Sequence, residues 1–127
     1  MKILICGDIH GRTFWKDAVE KHEKECDKII FLGDYLDPYP WEYITRKNAI
    51  KNFDEIINYK LNNKDKVVLL LGNHDLPYYD KAFGRNSRYD ASNAWHIMEM
   101  FQKNGGQSTI PYFSLLPGAH HHISQNV

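Results

Sequence analysis

Three apolar runs punctuate an otherwise mixed chain: Ile3-Leu4-Ile5-Cys6, Ile29-Ile30-Phe31-Leu32 and Val67-Val68-Leu69-Leu70-Leu71. Short, near-continuous runs rich in Ile and Val predict strands buried on both faces of a parallel sheet, here 2–6, 29–32 and 66–71. Between them the period changes. Trp15, Val19, His22 and Cys26 recur at intervals of four, three and four, which predicts a helix over 13–26 with Thr13 as its N-cap. On that stripe His22 reads as a half-buried packing residue. Ala49/Ile50, Phe53, Ile56/Ile57 and Lys60/Leu61 repeat the helical spacing and predict a second helix over about 42–62, ended by Asn62-Asn63-Lys64-Asp65. Strand, helix, strand, helix, strand predicts an α/β fold, a right-handed βαβαβ unit with a mainly parallel sheet.

Past residue 75 the pattern loosens and becomes aromatic, with Leu76-Pro77-Tyr78-Tyr79, Phe83-Gly84-Arg85 and Ser87-Arg88-Tyr89. Ala91, Ala94/Trp95, Met98 and Phe101 predict a third helix over 90–103, a core-packing stripe stopped by Asn104-Gly105-Gly106. Residues 107–127 are polar in patches, punctuated by Pro111 and Pro117-Gly118, with one strand-like run at 109–113. The expected division is one α/β domain over 1–106 and an atypical C-terminal tail over 107–127. The loop Asp37-Pro38-Tyr39-Pro40-Trp41 cannot continue the second strand, because two prolines remove donors and hold their neighbours extended. Its aromatics either wall a crevice or cover the sheet edge.

Composition narrows the classes. At 127 residues the chain suits one domain with a real core. Sixteen basic residues balance sixteen acidic ones, so no bulk charge points to nucleic acid or a membrane surface. The first apolar run is too short for a signal peptide or a membrane span, and a cytoplasmic location is expected. Cys6 and Cys26 are expected to be reduced thiols.

Each apolar run ends in a short polar string: Gly7-Asp8-Ile9-His10-Gly11, Gly33-Asp34-Tyr35-Leu36-Asp37 and Gly72-Asn73-His74-Asp75. In open parallel sheets the ligand crevice lies outside the carboxyl ends of the strands, so these strings converge there. Carboxylate and imidazole donors suit manganese, iron, zinc or nickel. Asp8 and His10 can reach a common ion, Asp34 can offer an oxygen to each of two ions, and Asn73 can offer its amide oxygen. Two ions roughly 3.5–4 Å apart would clamp a phosphoryl group and acidify a water between them. His74 then stands where a departing oxygen needs a proton, with Asp75 available to orient its ring. A single Gly-Asp after a strand is ordinary turn chemistry. Three such strings on one sheet edge are not what capping produces.

In this order and after strands, G-D-I-H-G, G-D-Y-L-D and G-N-H-D resemble the first three motifs of the calcineurin-like metallophosphoesterases, over roughly residues 1–80. The resemblance implies the front half of an α/β sandwich that holds two divalent metal ions. It implies Asp8 and His10 on the first ion, Asp34 bridging both and Asn73 on the second. His74, paired with Asp75, would assist the leaving group, and a metal-bound hydroxide would attack the phosphorus of a phosphate ester. The chain departs from the family twice. Where many members, protein phosphatases among them, carry Arg-Gly after the second motif, Pro38-Tyr39 stands here, leaving Arg12, Arg85 and Arg88 as substitutes for the phosphate-binding arginine. The family's second-half His and Gly-His-x-His strings have no counterpart after Gly106, where the histidines are the run His120-His121-His122; His96 falls within the predicted third helix. Either these three histidines fold back to replace the missing ligands, or a mobile tail leaves the second metal site deficient, the outcome expected from the entropy of ordering such a segment. The expectation is a metal-dependent phosphoesterase impaired by truncation; the rivals are an inactive or fragmentary relative acting as a binding module, and a phosphodiesterase or nuclease.

Overall fold

The computed structural model describes residues 1–79, 84–85, 88–92 and 113–114. The elements run β1 (Ile3–Cys6), α1 (Phe14–His22), β2 (Lys28–Phe31), a 3-10 turn (Pro40–Glu42), α2 (Arg46–Asn62), β3 (Val67–Leu70), α3 (Leu76–Tyr79) and β4 (Phe113–Ser114). The strands form one sheet in the order β1-β2-β3-β4 with every neighbouring pair parallel. The three apolar runs are therefore the first three strands of a βαβαβ unit. Phe113–Ser114 falls within the segment expected as a tail and pairs with Leu69 and Leu70 at the sheet's far side.

Register sorts the strand residues by face. Cys6, Phe31 and Leu69 stand side by side, as do Leu4, Ile29 and Val67. Onto this face α1 lays Trp15 and Val19, and α2 lays Ala49, Phe53, Ile56 and Ile57. Trp15 meets Phe31 edge-on at 5.7 Å, and its indole N–H donates to Asn52 Oδ1 at 2.9 Å. Asn52 in turn donates to the Arg12 carbonyl, so one buried amide ties α2 both to α1 and to the loop after β1.

The opposite face corrects the expectation of strands buried on both sides. Ile5, Ile30 and Val68 share it; Ile30 and Val68 are half-buried, and Ile3 and Ile5 are 46% and 58% exposed. Both described crossover helices pack on the other side, which leaves this face open among the described residues.

Element ends shifted where backbone bonding intervened. α1 stops at His22, not at Cys26, because Asp27 must pair with Lys2: its N–H donates to the Lys2 carbonyl at 2.7 Å while its carboxylate accepts from the Lys2 N–H. Thr13 occupies the N-cap position of α1 without a side-chain bond. α2 starts at Arg46, with Thr45 Oγ1 accepting from the Asn48 N–H at 3.1 Å. Ahead of it Tyr43 sits at φ +55°, which breaks the helix expected from 42. Ala91 and Ser92 are helical; the remainder of the helix expected over 90–103, and most of the run expected at 109–113, lie outside the described residues. Both cysteines are free thiols, Cys6 buried and Cys26 half-buried. Among the described residues no helix is long and apolar enough to cross a membrane.

Candidate metal centre

Parallel pairing of β1, β2 and β3 delivers the three polar strings to one edge, and backbone bonds carry the alignment past the strand ends. The N–H groups of Ile9, His10 and Gly11 donate to the carbonyls of Gly33, Asp34 and Tyr35 at 3.4, 2.5 and 2.9 Å. Two glycines permit the third string to close in. A Cβ on Gly33, at φ +104°, would lie 2.3 Å from the Gly72 nitrogen, and one on Gly72 would lie 2.4 Å from Asp34 Oδ1. No other residue type fits either position.

The polar side chains are aimed by an unusual backbone. Asp8, His10, Asp34 and Asp37 sit at φ +44°, +44°, +54° and +60°, the left-handed region that side chains with a Cβ disfavour by about 1–2 kcal/mol each. Four strained non-glycine residues at one sheet edge are the signature of a functional site held by its surroundings.

Asp8, His10 and Asp34 each present a donor atom within 4.8 Å of the others. His10 and Asp34 are buried and Asp8 is exposed, so the group opens to solvent on one side. The His10 ring is fixed from behind: Nδ1 faces the Leu36 carbonyl at 2.8 Å, which makes it the protonated nitrogen. Nε2 is then a lone-pair donor, 3.8 Å from Asp34 Oδ2. Two carboxylates and a pre-oriented imidazole fit a divalent ion of the borderline class. Asn73 stands against the same carboxylate. In the amide orientation that satisfies its neighbours, its nitrogen donates to both Asp34 oxygens at 3.2 Å. Asp34 Oδ1 also accepts the His74 N–H at 2.8 Å.

His74 lies beside this group, its ring edge-on to His10 at 5.0 Å. The expectation that Asp75 orients it is corrected by the geometry. His74 Nδ1 pairs with Asp37 Oδ2 at 2.9 Å, while the Tyr78 hydroxyl donates to Asp37 Oδ1. Burial raises the Asp37 carboxyl above its ordinary value, against the lowering effect of Tyr78 and His74. Asp75 faces the other way. Its carboxylate accepts from the backbone N–H groups of Asp34, Tyr35 and Gly72, stapling the second string to the third. Burial pushes it up to about 7, with the three backbone donors opposing and the Asp34 charge adding. Asp37 was within reach of a sequence reading, three residues after Asp34 in the second string. Its ring partner depends on where the third string crosses the second, which spacing does not give.

The Pro38–Trp41 loop forms a side of the centre. Tyr39 stands edge-on to the His10 ring at 5.0 Å and stacks on Trp41 at 4.7 Å. The Arg12 and Arg88 guanidiniums lie 5.2 and 4.3 Å from its ring centroid, whereas Arg85 lies over Tyr89. A separate cleft of about 660 Å³ opens between the starts of α1 and α2, from Gly11 and Arg12 to Lys51 and Glu55; it contains none of the residues of the Asp8–His10–Asp34 group. His96, His120, His121 and His122 lie outside the described residues.

Comparison with known proteins bears on the same residues. The family model for calcineurin-like phosphoesterases matches residues 1–125. The catalytic subunit of serine/threonine-protein phosphatase 4 from Eremothecium gossypii is 32% identical over 108 residues, covering 78% of this chain and 32% of its own length. The same subunit from Saccharomyces cerevisiae matches with the same identity and coverage. Serine/threonine-protein phosphatase PP1-delta from Caenorhabditis elegans is 29% identical over 105 residues, 76% of this chain and 32% of its own. The chain thus spans about a third of the length of the curated relatives it matches. No solved structure matches it. The family match over nearly the whole sequence and the strand-end cluster of Asp8, His10 and Asp34 lead to one conclusion: the chain belongs to the calcineurin-like phosphoesterase family.

Proposed function

We propose that this chain is a metal-dependent phosphoesterase acting on a phosphate ester. The observation that carries the reading is the convergence of Asp8, His10 and Asp34 within 4.8 Å, with His74 beside them and fixed by a buried carboxylate. Asp8, His10 and Asp34 would hold a first divalent ion, and Asp34 a second together with Asn73, whose amide would turn its oxygen, not the nitrogen that donates to Asp34, toward that ion. Such ions neutralise phosphoryl oxygens and lower the pKa of coordinated water. Manganese, iron, zinc and nickel all suit these donors.

The protein's own part is positional and acid–base. With Nδ1 committed to Asp37, Nε2 is the His74 nitrogen left to face a departing oxygen, and it would deliver a proton from the imidazolium form. As the ester bond breaks, the proton passes from Nε2 to the departing oxygen, and Asp37 stabilises the imidazolium that precedes transfer. Asp75 keeps the Asp34 and Gly72 backbones in register, so that Asp34 Oδ1 stays on the His74 N–H. A second reading is a domain that binds ion and phosphate without turnover. It is favoured by the count of ligands, three metal-type side chains plus Asn73 among the described residues.

The test is hydrolysis of a generic monoester and a generic diester with manganese added, together with metal content before and after reconstitution. Asp34→Asn is expected to retain less metal than the parent and to lose turnover. Equal metal content in the two proteins overturns the reading, and metal uptake without hydrolysis selects the binding module.

A further inference from the structure

Asp37 carries more than the His74 ring. Its side chain takes His74 and Tyr78, and its backbone carbonyl accepts from Arg88 Nε at 3.1 Å. Arg88 comes from a segment far along the chain, yet it is seated firmly. Its guanidinium carbon lies over the Tyr39 ring at a side of the centre, 4.3 Å from the ring centroid. Its backbone is held at φ +68°, another left-handed non-glycine position. Two neighbours anchor that segment: Tyr89 stacks on Tyr78 at 4.5 Å, and the Asp90 N–H donates to the Tyr78 hydroxyl at 2.9 Å.

Arg12 and Arg88 flank the same ring but differ in what their charge meets. Arg12 is consumed by Glu42, with Nε on both carboxylate oxygens at 2.9 and 3.0 Å and Nη2 on Oε1 at 2.8 Å. Arg88 bonds through Nε alone; its charge acts on the nearby Asp37 carboxyl, favouring the ionised form, but among the described residues no hydrogen-bond acceptor sits on its two terminal nitrogens. A guanidinium fixed by Nε and by stacking presents the paired terminal N–H groups that match two oxygens of a phosphate. Arg85 is exposed and lies over Tyr89, not over Tyr39.

Resting on the phosphoesterase reading, we infer that Arg88, seated on Tyr39 and tied to the Asp37 carbonyl, is the substrate-binding arginine of this site, taking the role left open by Pro38-Tyr39, and that it selects phosphomonoesters. A monoester dianion has three unesterified oxygens, enough to meet the ligand group and the Arg88 fork together. A diester has two, and loses one set of contacts.

The experiment titrates inorganic phosphate, and separately dimethyl phosphate, into manganese-loaded and metal-free protein by calorimetry, with manganese content and melting temperature measured for each variant. Arg88→Ala is expected to weaken phosphate binding by about tenfold or more, the loss of a charge-assisted bidentate contact. Arg88→Lys keeps the charge but neither the fork nor the Nε bond; it is expected to lose most of the same affinity at an unchanged melting temperature, which excludes a folding artefact. Arg12→Ala is expected to lose less than Arg88→Ala, and dimethyl phosphate to bind the parent and Arg88→Ala alike. Parent-like phosphate affinity in Arg88→Ala, a larger loss in Arg12→Ala, or no phosphate binding by the parent overturns the inference. Failure of the metal reading shows separately, as absent manganese uptake by the parent, and the metal-free titration still decides for or against Arg88.

Discussion

At the scale of single residues, the proposed chemistry assigns His74 to the ester and two aspartates to its support. Asp37 holds the His74 ring, and Asp75 holds the backbone N–H groups of Asp34, Tyr35 and Gly72. If His74 supplies the proton, His74→Ala should slow esters of poor leaving groups far more than activated aryl esters. General acid catalysis contributes about 10²–10⁴-fold where a leaving group needs a proton, and little where it does not. Turnover of an aryl and an alkyl monoester, compared between parent and variant, checks this; a uniform loss would assign His74 to positioning. The same distinction explains what sequence could reveal. Asp8, His10, Asp34, Asn73 and His74 lie in three strings that each follow directly on an apolar run, so strand assignment alone brought them to one edge. The partner of His74 turns on which of two nearby aspartates the ring meets in three dimensions. Arg88 reaches Asp37 from an irregular segment with no period to read.

At the scale of elements, the interiors of helices and strands followed their hydrophobic period, and their ends were set by single hydrogen bonds and turns that the period does not carry. The start of α2 is the instructive case. Apolar spacing carries no mark at 45, yet Thr45 caps the helix while Tyr43, two residues earlier, turns the chain left-handed. Thr45→Ala is expected to destabilise the protein by about 1 kcal/mol. That corresponds to a fall of a few degrees in melting temperature, about 4 °C for a domain of this size. Thermal denaturation followed by circular dichroism checks it. Asp27 works similarly at the other side of the sheet, where its double contact with Lys2 ends α1 early and starts β2.

At the scale of the whole molecule, the fold class was legible because three Ile- and Val-rich runs alternate with two helical periods. That only one sheet face is covered by the described helices was not legible, since a continuous apolar run reads the same whether one face or both are packed. The two cysteines pack to different depths against the covered face. Cys6 points into the helix-covered face and burial raises its thiol above the ordinary value, whereas Cys26 is half-buried. Native protein should therefore show one thiol reacting quickly with a disulfide reagent near neutral pH and a second only on denaturation. Two thiols of equal rate in the native state would contradict the packing of β1.

The left-handed backbone at Asp8, His10, Asp34 and Asp37 gives selection something to read. At each of these positions glycine would relax the main chain and discard the side chain. A library screened solely for folded, protease-resistant protein should accordingly drift toward glycine at those four sites, while an aspartate or histidine that persists there under natural descent records a demand other than folding. Sequencing such a library before and after the screen would measure how strongly stability and chemistry pull apart at each codon.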